Sequence, residues 1–164
     1  RQMCIRDRHI MVKIFETKEY NDEMISLWQQ AFGDSREDVI FFLENAHNIS
    51  CLCLYDNDGL CSMFFLVDCR MLGEDYKYIY AACTDKSYRS AGYMSQLLKY
   101  SQENYKRILL IPADDSLVYY YSKRSFNHKA DIHSIIFNEC DEIKEYLFEG
   151  CSLEKPFALA YIGD

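Results

Sequence analysis

Hydrophobic positions change their period several times along this chain, and each change marks a predicted element. Met11 to Phe15 alternates like a half-buried strand. In the next stretch, EYNDEMISLWQQAFGD, Met24, Ile25, Trp28 and Phe32 fall on one face of a helix that Gly33 ends. Ser35 with Asp38 makes an approximate capping box for a second helix to about Asn45, with Val39, Ile40, Phe42 and Leu43 as its apolar side. Next comes SCLCLYDNDGLCSMFFLVDCRMLGEDYKYIYAACT, where Asn57-Asp58-Gly59 and Gly73-Glu74-Asp75 punctuate three strand-like runs. From Gly92 the period returns to that of a helix at Met94, Leu97, Leu98 and Tyr105. A strand RILLIP, a short helix from Asp114 or Asp115, and a further strand within DIHSIIFN complete the reading. The order predicts a mixed α/β domain, an antiparallel meander followed by a βαβ crossover.

Composition narrows the class. The chain has 164 residues, of which 49% are hydrophobic, enough for one domain with a sizeable core. A net charge of -8 argues against a nucleic-acid partner, which needs a basic face, and mildly favours a cationic substrate. Eight cysteines form no CxxC pair, so the reading is buried free thiols in a reduced, cytoplasmic protein, without disulfides or metal. Cys51 and Cys53 would share one strand face, as would Cys61 and Cys69 on a continuous strand. No apolar run reaches the roughly 20 residues that span a bilayer, and no signal peptide is legible, so no membrane role is expected. Residues 1–10, RQMCIRDRHI, share no pattern with the rest of the chain and read as a leader foreign to a single domain over residues 11–164.

The chemistry concentrates at YIYAACTDKSYRSAGYMSQLLKY, where a strand gives way to a helix. The first amides of a helix lack intrahelical partners and lie at the positive end of its dipole, so they can hold an anion. Gly92 lets backbone approach closely, and Arg89 offers a multidentate donor to phosphate or a tie for the loop. Neither GxxxxGK[ST] nor GxGxxG occurs, which removes support for nucleotide hydrolysis and dinucleotide binding.

TDKSYRSAGYMSQLL resembles the acyl-CoA motif of the GNAT superfamily of N-acyltransferases, R/Q-x-x-G-x-G/A after the fourth strand. Arg89 and Gly92 match, and Met94 stands where Gly or Ala is usual. Downstream, LLIPADDSLVYYYSKRSF resembles the family's fifth strand and the helix after it, with a Tyr-x-x-x-Gly-Phe pattern in which Ser125 replaces glycine before Phe126. The resemblance covers roughly residues 11 to 130 and extends to a bacterial subgroup related to the enhanced-intracellular-survival amine acetyltransferases. Members of that subgroup usually carry a further C-terminal domain, which would make this chain a truncated relative.

The resemblance implies a GNAT-like fold whose fourth and fifth strands splay around acetyl-CoA as co-substrate. Backbone at Ala82, Cys83 and Thr84 would bond the pantetheine arm, and Arg89, Ser90, Ala91, Gly92, Tyr93, Met94 and Ser95 would take the pyrophosphate. Asp114 falls near a position where many members have asparagine. An amine, on a small molecule, a peptide or a protein lysine, would attack the thioester directly in a ternary complex. Tyr121 falls on the tyrosine often used as general acid, although Leu117, Tyr120 and Tyr121 at spacings of three and four also suit core packing. Tyr119 and Tyr120 are its rivals if the register slips. Glu74, Asp75 and Asp68 are acidic candidates for a base, each also readable as solvated surface. Cys83 has no histidine beside it in sequence, which disfavours a covalent route. Trp28, Phe32 and Phe64 could line an acceptor pocket or the core. The competing reading is a silent acyl-CoA-binding or interaction module, motivated by Met94 and Ser125. A homo-oligomer is compatible with either.

Overall fold

Residues 11–164 are described by the computed structural model of the chain; the expected leader and Cys4 lie outside them. The strands are β1 (Lys13–Thr17), β2 (Ile49–Asp56), β3 (Gly59–Met71), β4 (Glu74–Thr84), β5 (Arg107–Leu110), β6 (His128–Ala130), β7 (Ile135–Phe137) and β8 (Ala158–Ile162). The helices are α1 (Asp22–Phe32), α2 (Arg36–Asn45), α3 (Tyr93–Asn104), α4 (Asp115–Ser122) and α5 (Asp141–Phe148), with single 3-10 turns at Lys86–Tyr88 and Ile132–Ser134. The strands form one sheet in the order β1-β2-β3-β4-β5-β8-β6, and β7 pairs with the far end of β3. Only β4 and β5 run parallel, joined through α3, so the predicted meander and crossover are both present.

The sheet carries a core on each face. Under α1, α2 and α5 lie Trp28, Phe42, Phe65, Val67 and Tyr78; under α3 and α4 lie Phe64, Leu66, Leu97, Leu98, Ile108 and Phe126. Burying each large apolar side chain contributes about 1.5–3 kcal/mol. Asn21 and Ser35 start α1 and α2 by accepting the Met24 and Asp38 amides, and Gly33 ends α1 with a φ of 75°.

Several boundaries differ from the pattern. β1 begins two residues later than Met11 and runs to Thr17. The second hairpin turns at Leu72 and Gly73, one residue before the expected punctuation, and both have positive φ (52° and 81°). DIHSIIFN divides into a 3-10 turn and the short β7. A register shift between β2 and β3 leaves Cys61 without a cross-strand partner, so it joins the core under α3 while Cys69 joins the other. Cys51 and Cys53 do share a face. The seven cysteines of the described residues are free. Among these residues no helix is long and apolar enough to cross a membrane, and no cluster of metal-ligating side chains occurs.

Candidate active site

The parallel pair separates almost as soon as it forms. β4 and β5 are in register only at Lys77 with Ile108 and Tyr78 with Leu109. β5 stops at Leu110, and Pro112 beyond it has no amide to offer a ladder. β4 runs on to Thr84, so its edge past Tyr78 has no strand partner among the described residues. On the other edge a bulge sets Ala81 and Ala82 against Phe64, with Ala81 at a φ of 56°. The gap is a cleft of ≈ 290 Å³ through the sheet. Ile79, Ala82, Leu110, Leu117 and Tyr121 wall it on the α3 and α4 side. Trp28, Phe32, Asp34, Tyr80 and Glu149 wall it on the other.

At the end of β4 the loop into α3 is held by side chains. Asp85 accepts the Ser87 amide at 2.9 Å, which holds its carboxyl below the usual carboxylate range. Gln30, from α1, donates to Asp85 (3.2 Å) and accepts the Lys86 amide (2.9 Å). Arg89 is exposed and donates through Nε to the Thr84 carbonyl at 3.4 Å, so at rest it ties the loop. Ser90 and Gly92 have φ of 74° and 80°, turning the chain so that Gly92 is the N-cap of α3. No side chain caps this helix, and among the described residues the Tyr93, Met94 and Ser95 amides have no protein acceptor. A Cβ on Gly92 would meet nothing within 4 Å, so the space beside the N-cap of α3 is open. Met94 is half-buried and packs on the core under α3, which keeps its side chain out of that space. Sequence reasoning missed Arg124, which donates to Ser95 Oγ (3.1 Å) and lies 3.6 Å from the Tyr120 ring centroid. Only the folded turn after α4 brings it to the cradle.

Tyr121 is 7% exposed, its ring edge-on to Phe126 at 5.9 Å. Its hydroxyl has no hydrogen-bond partner among the described residues, yet no fully buried side-chain oxygen there lacks one, so the hydroxyl keeps some exposure, on a side chain that lines the cleft. Burial pushes its phenol well above the ordinary value. Tyr119 points to solvent against Lys123, and Tyr120 hydrogen-bonds Ser95 Oγ at 3.2 Å.

The remaining sequence candidates separate. Asp114 caps α4 by accepting the Leu117 amide at 2.9 Å. Cys83 is buried, and that burial pushes its thiol up to about 12. Asp68, Glu74 and Asp75 pair with Lys77, Arg107 and Arg70 and none lines the cleft. Phe64 is core. Trp28 and Phe32 do line the cleft, whereas Ser90 to Ser95 lie outside its lining, at the tip of α3.

A family described as "Acetyltransferase (GNAT) domain" matches residues 15–126. Among solved structures, a Bacillus subtilis acetyltransferase in complex with CoA superposes with a TM-score of 0.59 at 18% identity, over 93% of this chain and 99% of that one. N-acetylglutamate synthase from Neisseria gonorrhoeae, complexed with coenzyme A and N-acetyl-glutamate, gives 0.60 at 14% identity, over 94% of this chain and 35% of that one. A GCN5-related glucosamine N-acetyltransferase region of a fungal multi-domain GH3 beta-N-acetylglucosaminidase gives 0.56 at 15% identity, over 70% of this chain and 16% of that one. Comparison with curated proteins finds no match. At these identities the structures establish the fold, and the family match, which spans most of the described sheet, establishes the kinship: this chain belongs to the GNAT acetyltransferase family.

Proposed function

We propose that this chain is an acyl-CoA-dependent N-acyltransferase that moves an acetyl group to a primary amine by direct attack. The observation that carries the reading is the unpaired edge of β4, which lines a cleft shared with the buried Tyr121 and leads through the loop after Thr84 to the uncapped N-terminus of α3. Acyl-CoA, when bound, would supply an activated thioester carbonyl and a thiolate leaving group. Tyr93, Met94 and Ser95 amides would hold its pyrophosphate, aided by Arg89 and Arg124. Backbone at Ala82, Cys83 and Thr84 would pair with the pantetheine amides, as an added strand does. The amine nitrogen forms its bond to the carbonyl carbon as the carbon–sulfur bond breaks, while Tyr121 gives its proton to the sulfur. The proton lost by the attacking nitrogen passes to water, and Tyr121 is reprotonated from solvent.

The two departures from the family pattern are accommodated. Met94 packs away from the cradle, and Ser125 itself adopts the left-handed φ of 73° that glycine usually serves. Neither favours a silent binder. A place in the enhanced-intracellular-survival subgroup rests on the motif strings alone, and reduced cysteines support a reducing compartment.

Calorimetric titration with acetyl-CoA tests this reading. The protein should bind in the micromolar range and the Arg89→Ala, Gly92→Trp double variant should not, with circular dichroism confirming that both are folded. A folded protein that ignores acetyl-CoA would overturn it.

A further inference from the structure

Asp34 occupies the one-residue link between Gly33, which ends α1, and Ser35, which caps α2. Two side chains of α1 clamp it: the Trp28 indole donates to Asp34 Oδ2 at 2.8 Å, and Gln29 donates to its carbonyl at 3.3 Å. That fixes a carboxylate at the cleft wall. Glu149, just beyond α5, lines the same cleft, as do the exposed Phe32 ring and Tyr80. Tyr80 is packed at 5.6 Å from Trp28 and 5.1 Å from Phe42. Burial, and after it the charges of Glu149 and Asp34, hold its phenol above the ordinary value, so both carboxylates act on this one spot. Tyr121, only 7% exposed and with a hydroxyl that has no partner among the described residues, lines the same cleft from the opposite face of the sheet.

Carboxylates and ring faces together make a seat for an organic cation. They are badly suited to the reacting nitrogen, because an adjacent negative charge favours its protonated, unreactive form. They suit a second ammonium that never reacts. We infer that the acceptor is a diamine, one nitrogen reaching the thioester beside Tyr121 and the other held between Asp34, Glu149 and the Phe32 and Tyr80 rings. This rests on the acyl-transfer reading for the reacting nitrogen, whereas the seat itself needs no acyl donor.

Trp28 is the sole tryptophan and touches Asp34, so its fluorescence reports the seat without any turnover. Titration with diaminobutane should give a saturating change, at a concentration about tenfold or more below that needed with butylamine, which has the same carbon chain and no second charge. Asp34→Asn keeps an oxygen for the indole and loses the charge; Glu149→Gln alters an exposed side chain. Each should weaken diaminobutane by about tenfold. Equal binding of the two amines, or diamine binding indifferent to both substitutions, would overturn the inference. Loss of acetyl-CoA binding, measured separately, bears on the acyl-transfer reading and leaves this titration to be judged alone.

Discussion

Replacing Tyr121 by phenylalanine separates its two possible roles, because the structure predicts opposite outcomes for stability and for turnover. The hydroxyl has no protein partner among the described residues, so its removal breaks no hydrogen bond. The ring keeps its edge contacts with Phe126 at 5.9 Å and Tyr120 at 5.3 Å. Stability should therefore stay within about 0.5 kcal/mol, a shift in Tm of about 1–2 °C for a chain of this size. Tyr78 is the internal contrast. Its buried hydroxyl donates to the Leu147 carbonyl, and Tyr78→Phe leaves that carbonyl unpaired, at a cost of about 1–3 kcal/mol.

Turnover should behave otherwise. A positioned general acid contributes about 10²-fold or more, so Tyr121→Phe should lower kcat by about that factor, or roughly 2.7 kcal/mol of barrier. Binding of acetyl-CoA should not change, because the cradle amides belong to α3. Free-thiol release at saturating acetyl-CoA and amine measures kcat, and calorimetry measures binding. The pH profile adds a constraint: burial holds the phenol well above its usual value, so Tyr121 stays protonated at neutral and mildly alkaline pH. No alkaline fall in that range should vanish in the phenylalanine variant. An unchanged kcat in a folded Tyr121→Phe would refute the assignment and return the side chain to a packing role.

Two further outcomes are expected. Burial pushes the Cys83 thiol up to about 12, so it is scarcely ionised at pH 8; Cys83→Ser should retain turnover and iodoacetamide should inactivate slowly, whereas loss of activity in a folded Cys83→Ser would revive a covalent route. Leu72 is 83% exposed and sits at a φ of 52° ahead of Gly73, so Leu72→Asn should stabilise the hairpin by about 0.5–1 kcal/mol, and a thermal melt showing no gain would contradict that turn geometry.

The elements with sustained patterns were legible in the sequence: α1 through Met24, Ile25 and Trp28, the long β3, and α3 through Leu97 and Leu98. Within the C-terminal third, α4 and the strand in DIHSIIFN were legible, but β6, α5 and β8 were not. β8 buries Ala158, Leu159 and Ala160, and two alanines in three carry little strand signal. α5 buries only Ile143 and Leu147, which is too few positions to set a period. The cradle was readable because its chemistry is local, within Arg89 to Ser95. Asp34 and Glu149 were not, since they are far apart in sequence and come to one cleft only through the fold, each just past the end of a helix. Arg124 escaped for the same reason, its partner Ser95 lying on another helix.

That C-terminal third has a direct bearing on the cleft. β5 shares two residue pairs with β4 and four with β8, so it is anchored more firmly to β8 than to β4. The segment after α5 then ties down the chain leaving β5: the Ser152 amide donates to the Ala113 carbonyl at 2.8 Å, and the Cys151 thiol approaches the Pro112 carbonyl at 3.3 Å. Two strands left side by side with bare edges would tend to zip together, since each unpaired amide near a dry wall costs free energy. The Ala81 bulge turns β4 away, Pro112 withholds an amide from β5, and β8 with residues 151 and 152 holds β5 from its far side. An open cleft is thus a product of three separate restraints, one of which comes from outside the residues that match the family.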